Sequence, residues 1–144
     1  MWLDRVLASP TRSAIELAAR YAERRHQVLV ENVANIDTPD YQSKRLDPER
    51  FQAAIRDALE SSKRTGASDL VLSDRQVRTG PNGRLRVSPD VEPAENVLFH
   101  DGTNARFESL MTEVQENAMS YDLTTSMLKS RFDTLLTAIR GRNA

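Results

Sequence analysis

Apolar residues recur in two long stripes, one near each end of the chain, and the stretch between them has no comparable period. Ser9-Pro10 offers an N-cap followed by proline at the first helical position, where its missing N–H costs nothing. From there to Ile36 there is no further Gly or Pro. Ile15, Ala19, Ala22, His26, Leu29, Val33 and Ile36 alternate steps of four and three, the 3.5-residue seam of a helix lying along a partner. The spacing predicts a helix over 10–36. At the other end, Phe107, Met111, Val114, Ala118, Tyr121, Thr125, Leu128, Phe132, Leu135 and Ile139 step in the same way, with Gly102 and Gly141 as stop signals. A helix over 104–140 is a rod of about 55 Å. Leu110, Leu123 and Leu136 widen its stripe beyond what one partner helix covers.

Residues 37–103 differ in kind, holding five of the six prolines and four of the five glycines. One short amphipathic helix is predicted, with Asp47 as N-cap, Pro48 first, and Phe51, Ala54, Ile55, Ala58 and Leu59 on one face. Around Gly80-Pro-Asn-Gly83, the flanks Gln76–Thr79 and Arg84–Val87 read as a β-hairpin. Alternation puts Leu85 and Val87 on one face and Arg84 and Arg86 on the other. From Ser88 to Asn104 nothing periodic is visible, and no internal repeat is found. The fold class expected is mainly α: an antiparallel pair of long terminal helices, a short helix, and an irregular middle with a β-hairpin. Residues 1–9 are expected to be a flexible N-terminus. Residues 10–60 and 104–144 are expected to pack as one domain, with 61–103 as an irregular insert.

Composition narrows the chemistry. Leu, Ile, Val and Phe supply 33 of the 144 residues, just above the level of roughly 20% below which independent folding becomes doubtful. With no Cys there is no disulfide framework, thiol nucleophile or Cys-based metal site. A net charge of -1 argues against binding nucleic acid by bulk electrostatics. No apolar run approaches a membrane span, and Asp4 and Arg5 interrupt what would be the apolar core of a secretory signal. His26 and His100 stand alone, without a second ligand at metal spacing. His26 reads as a packed or interface histidine; His100-Asp101 carries only a weak acid–base signal. No phosphate-cradling Gly loop or serine nucleophile motif is present. The expectation is a protein without catalysis, cofactor or metal. Arg75, Arg78, Arg84 and Arg86 cluster with no acid between them. They suit an anionic or acidic partner, but Asp69, Asp74, Asp90, Glu92 and Glu95 on either side weigh toward a solvated face.

At the end of the first helix stands Asn32-Val-Ala-Asn-Ile-Asp-Thr-Pro-Asp-Tyr41. This resembles the N-terminal signature of the bacterial flagellar axial proteins of rod and hook, on the matching positions Asn32, Ala34, Asn35, Thr38, Pro39 and Tyr41. Asn35 is placed to cap the helix through its amide, Pro39 disfavours helix at Thr38, and Tyr41 is placed to fold back on the seam as a hydrophobic clasp. Asp40 stands where that signature has Gly, which matters if the position needs a positive φ. The C-terminal part resembles the proximal rod members of the family, on Asn117, Ala118, Tyr121, Leu128, Arg131, Phe132, Leu135, Ala138, Ile139 and Gly141. Asp101-Gly-Thr-Asn104 departs slightly from the family's Asp-Gly-Asn step. The resemblance covers roughly residues 10–60 and 100–141.

The resemblance implies a structural subunit of the flagellar basal-body rod that packs helically with its neighbours and transmits torque. It further implies export through the flagellar type III apparatus without a cleaved signal, a place in the periplasmic rod, and an N-terminal segment ordered on assembly. Expected partners are other copies of the chain, other rod proteins and the basal-body base on its membrane-ring and export-gate side. No nucleic acid and no direct membrane span are expected. The assembly residues expected are Ile15, Ala22, Leu29, Val33, Ile36, Phe107, Met111, Val114, Ala118, Tyr121, Leu128, Phe132, Leu135 and Ile139. Two alternatives stay open from sequence: a companion proximal rod protein of similar size, and a cytosolic helical-hairpin adaptor or export chaperone.

Overall fold

The computed structural model describes residues 9–92 and 100–141, with side chains of the last helix from Arg106 onward. Expectations on residues 1–8, on the side chains of His100 and Asp101–Asn104, and on most of the aperiodic stretch after Glu92 lie outside them. The elements in chain order are α1 (Pro10–Ala34), β1 (Lys44–Arg45), α2 (Pro48–Thr65), β2 (Val77–Thr79), β3 (Leu85–Val87), β4 (Asp90–Val91) and α3 (His100–Arg140). The two long helices pack against each other and the middle carries small antiparallel strand pairs, the mainly α class that the stripes predict.

Three contacts fix the antiparallel pairing. Arg25 Nη2 meets Glu113 Oε2 at 2.7 Å, Asn117 Nδ2 donates to the Ala22 carbonyl at 2.8 Å, and the Arg12 guanidinium lies 5.5 Å from the centroid of the Phe132 ring. Residue numbers fall on α3 as they rise on α1. At 1.5 Å per residue α3 is about 61 Å long and α1 about 37 Å, so α3 outruns its partner.

α1 buries two faces. Ile15, Ala22 and Leu29 keep heptad spacing on the side toward α3. Leu17, Tyr21 and Val28 join Leu46, Phe51, Ala58, Leu70, Leu72 and Val77 in a separate core. At 100° per residue these faces lie about 110° apart around the helix. In that core the rings of Tyr21 and Phe51 stack, centroids 4.0 Å apart and nearly parallel. The Tyr21 hydroxyl is buried without a hydrogen-bond partner among the described residues, and that burial raises its pKa well above the usual tyrosine value. The core therefore belongs to α1, α2 and the middle segment, while α3 is held mainly by α1.

Several boundaries differ from the pattern. α1 ends at Ala34, with Asn35 as C-cap, rather than at Ile36. α2 runs past Leu59 to Thr65: no apolar residue marks Glu60–Thr65, yet nothing breaks the helix until Gly66, at φ 72. Its start follows the prediction, the Asp47 carboxylate accepting from the Glu49 N–H at 2.9 Å. α3 begins at His100 and takes in Gly102, because an isolated glycine costs a helix only about 1 kcal/mol. His26, assigned to the seam, is exposed; at that level Arg25 turns inward instead, donating to the Leu46 carbonyl at 3.3 Å as well as to Glu113.

The hairpin pairs Val77 with Val87, Arg78 with Arg86 and Thr79 with Leu85, and Leu85 and Val87 pack on the core. A second pair, β1 with β4, joins Lys44 to Val91 and Arg45 to Asp90. Two-residue strands are too short to show alternation, so the sequence carries no signal for it. Gln76 knits the two pairs together: buried, it accepts from the Asp47 N–H at 2.9 Å and donates to Asp90 Oδ2 at 2.8 Å.

Asp74 opens the hairpin. It accepts from Arg50 Nη2 at 2.8 Å and from the Gln76 N–H at 2.9 Å, and these bonds hold its carboxyl down at about 2, against an ordinary 3.8. Since the folded value lies below the unfolded one, the contribution is complete above pH ~4 and is lost as pH falls toward 2. Arg50 is part-exposed, so screening limits the effect to about 1 kcal/mol. Urea melts of the parent chain should lose that much between about pH 5 and about pH 2.5, and those of Asp74→Asn less.

Candidate assembly surface and signature turn

The signature turn is built around Asn32, two residues before the end of α1 and only 4% exposed. Its amide acts as a strand would toward β1: Nδ2 donates to the Lys44 carbonyl at 2.7 Å and Oδ1 accepts from the Lys44 N–H at 2.9 Å. The Tyr41 hydroxyl donates to the same Oδ1 at 3.1 Å. Tyr41 thus folds back on α1 as expected, but through its hydroxyl rather than as an apolar clasp. Half-burial and nearby Glu31 raise its pKa. Lys44 Nζ in turn reaches Glu31 Oε1 at 2.5 Å.

Asn35 terminates the helix with both of its nitrogens, the backbone N–H and Nδ2 each donating to the Glu31 carbonyl, at 3.2 and 2.8 Å. Two turns follow, closed by Thr38 N–H to Asn35 carbonyl at 3.0 Å and Tyr41 N–H to Thr38 carbonyl at 3.3 Å. In the second turn Pro39 takes the first central position and Asp40, at φ 60, the second. Proline followed by a positive φ is the arrangement of a type II turn, which favours glycine at the second position. Ala34, Thr38 and Pro39 are exposed. Asp40→Gly should raise stability by about 0.5–1 kcal/mol; a urea midpoint equal to or below the parent's would contradict this. A cleft of about 560 Å³ separates this turn from α3, with Leu29, Ile36 and Tyr41 on one wall and Arg106, Leu110 and Glu113 on the other.

α3 presents three faces. Arg106, Leu110, Glu113, Val114, Asn117, Thr124, Thr125, Leu128 and Leu135 are half-buried or buried toward α1. Phe107, Met111, Ala118, Tyr121, Phe132, Leu136 and Ile139 are exposed, and lie about 80° around the helix from the centre of that inner face. Met119, Leu123 and Met127 form an i, i+4, i+8 ridge on the far side, the first two 62% exposed. The seam expected to pair with α1 is thereby corrected. Val114, Thr125, Leu128 and Leu135 contribute to the inner face, but Phe107, Met111, Ala118, Tyr121 and Ile139 do not, and Phe132, also exposed, meets α1 only at its edge through Arg12. The reason is polar: Glu113 and Asn117, invisible to an apolar pattern, bond Arg25 and the Ala22 carbonyl and so set the rotation of α3. On α1, Ile15, Ala22 and Leu29 are buried, while Val33 and Ile36 are half-buried.

Among the described residues no group of three or more His, Cys, Asp or Glu is placed to hold a metal ion. No described helix is long and apolar enough to cross a membrane.

The strand-held turn at the end of the first helix and the long last helix carry the residues on which the chain resembles the flagellar axial proteins. Within that class the similarity is to one protein: each of eight curated homologues is named flagellar basal body rod protein FlgB. That of Bacillus subtilis (strain 168) is 28% identical over 135 residues, covering 94% of this chain and 97% of its own. That of Borrelia hermsii is 26% identical over 136 residues, covering 88% and 96%. The Salmonella typhimurium protein is 22% identical over 128 residues, covering 83% and 86%. No family model and no solved structure matches the chain. The similarity runs through the middle segment as well as the two ends.

Proposed function

We propose that this chain is a structural subunit of the proximal rod of the bacterial flagellar basal body, working by helix packing and not by catalysis. The observation that carries the reading is the uncovered apolar stripe of α3, from Phe107 to Ile139, on a chain similar along nearly its whole length to flagellar rod proteins. Leaving seven apolar side chains in water costs solubility in a free monomer and is compensated when neighbours bury them at about 25 cal/mol per Å². Subunits that meet through different patches form an open array instead of closing, as a rod requires.

In this reading α1 and α3 form the packing unit, and the turn from Asn32 to Tyr41 locks the middle segment onto it. Torque passes along the rod through the packed helices. The neighbours are other copies, other rod proteins and the basal-body base, reached by export through the flagellar type III apparatus into the periplasmic rod. Fractionation tests this. The tagged chain should co-purify with detergent-extracted basal bodies. A wholly soluble cytosolic pool would contradict the reading and favour an adaptor or export chaperone.

A further inference from the structure

We propose that the outer face of the middle sheet docks on the back of α3 of a second copy of the chain; this rests on the subunit reading above. Leu70, Leu72 and Val77 are buried in the core, and alternation turns Val71, Ser73, Arg78 and Arg86 outward, with Val71 71% exposed. Ser73 bridges to Arg78, and Arg78 lies directly across from Arg86. Two like charges opposite one another on neighbouring strands destabilise the pair.

The nearby acids do not relieve it. Asp74 is taken by Arg50, Asp90 by Arg75 and Glu92 by Arg45. Arg78 donates to the Asp74 carbonyl at 3.2 Å. The side chains of Arg84 and Arg86 have no ion pair or hydrogen bond among the described residues. Asp74 and Glu92 are thus engaged by arginines outside the cluster and Asp90 by Arg75, which leaves the guanidiniums of Arg84 and Arg86 uncompensated on this face.

The complementary surface is on α3. Between Phe107 and Leu128 it carries four acids and no basic residue, and only Glu113 is engaged, by Arg25. Glu116 and Asp122 flank the exposed Met119–Leu123–Met127 ridge. An apolar ridge edged with carboxylates matches a sheet face carrying Val71 and a row of guanidiniums. Both faces are exposed in the single chain, so a contact between them joins two copies through different patches, a heterologous contact that extends into an open array where its rotation does not close a ring. A polyanion fits less well: the chain is negative overall, and Val71 would stay in water.

Charge reversal in the full-length purified chain tests the proposal. Arg78→Glu/Arg86→Glu and Glu116→Arg/Asp122→Arg should each weaken self-association at least tenfold by analytical ultracentrifugation, because each variant then opposes like charges. Mixed in equal amounts they should associate again, since the reversed faces now match each other. Both keep the parent's far-UV circular dichroism and melting if the effect lies at the interface. A mixture no better than either variant alone overturns the proposal, as does a parent chain that stays monomeric at the highest soluble concentration. So does loss of heparin binding in Arg78→Glu/Arg86→Glu with self-association unchanged. If any of these occurs while the chain still co-purifies with basal bodies, the docking inference alone falls. Absence from basal bodies removes the subunit reading itself.

Discussion

Asn32→Ala is expected to destabilise the chain by about 3 kcal/mol, the largest loss from any single side chain of the signature turn. Three hydrogen bonds end on this one buried amide. Two of them satisfy the backbone of Lys44. Removing the amide leaves the Lys44 N–H and carbonyl unpaired on that side in a part-buried site, so the cost includes some of their desolvation and not only the lost bonds. The consequence spreads along the chain, because Lys44 sits in β1, which β4 joins on its other side. Asn32→Asp should also be costly: it keeps an acceptor for the Lys44 N–H but sets a carboxylate against the Lys44 carbonyl. Tyr41→Phe removes one bond and should cost about 1 kcal/mol. Urea melts read with their m-values separate these outcomes. Equal stability of Asn32→Ala and Tyr41→Phe would show that the strand-like pairing with Lys44 contributes little.

Phe132→Asp is expected to abolish rod assembly while leaving the chain folded and exported. In the free chain Phe132 is 43% exposed, and its one described ring contact is with Arg12. An aspartate there stays solvated beside that guanidinium, so the expected change in stability is within about 1 kcal/mol. In an assembly that covers the stripe, the same carboxylate is taken out of water at a cost of several kcal/mol, enough to reduce association a thousandfold or more. A deletion strain complemented with this variant should be non-motile, with the protein made and exported. Normal swimming would contradict the assigned role of the stripe.

The long helices were legible because each carries a heptad-spaced stripe, Ile15–Ile36 and Phe107–Ile139, interrupted only at His26 and Thr125. The capped helix and the hairpin were legible through Asp47-Pro48 and Gly80–Gly83. What stayed hidden is polar. Arg25, Gln76 and Asn117 are buried and make tertiary hydrogen bonds, but in sequence each looks like an ordinary surface residue; Asn32 stood out only through the signature, not through its bonds to Lys44. Asn117 falls in the stretch that resembles the rod proteins, and that was its only signal. The buried pairs Arg25–Glu113 and Asn117–Ala22 rotate α3, so a seam drawn through apolar residues runs along its exposed flank for half its length. The second face of α1, with Leu17, Tyr21 and Val28, was masked by the regularity of the first. Asp40 was legible as a departure from glycine, and its positive φ gives that departure a physical meaning.

The central claim is that neighbours cover the α3 stripe. Because the chain has no cysteine, Ala118→Cys places one thiol on the stripe with little change in volume. Its maleimide labelling rate in the purified chain should match that of an exposed helical cysteine. In isolated basal bodies the account predicts a rate at least a hundredfold lower. Equal rates in the two preparations would contradict it.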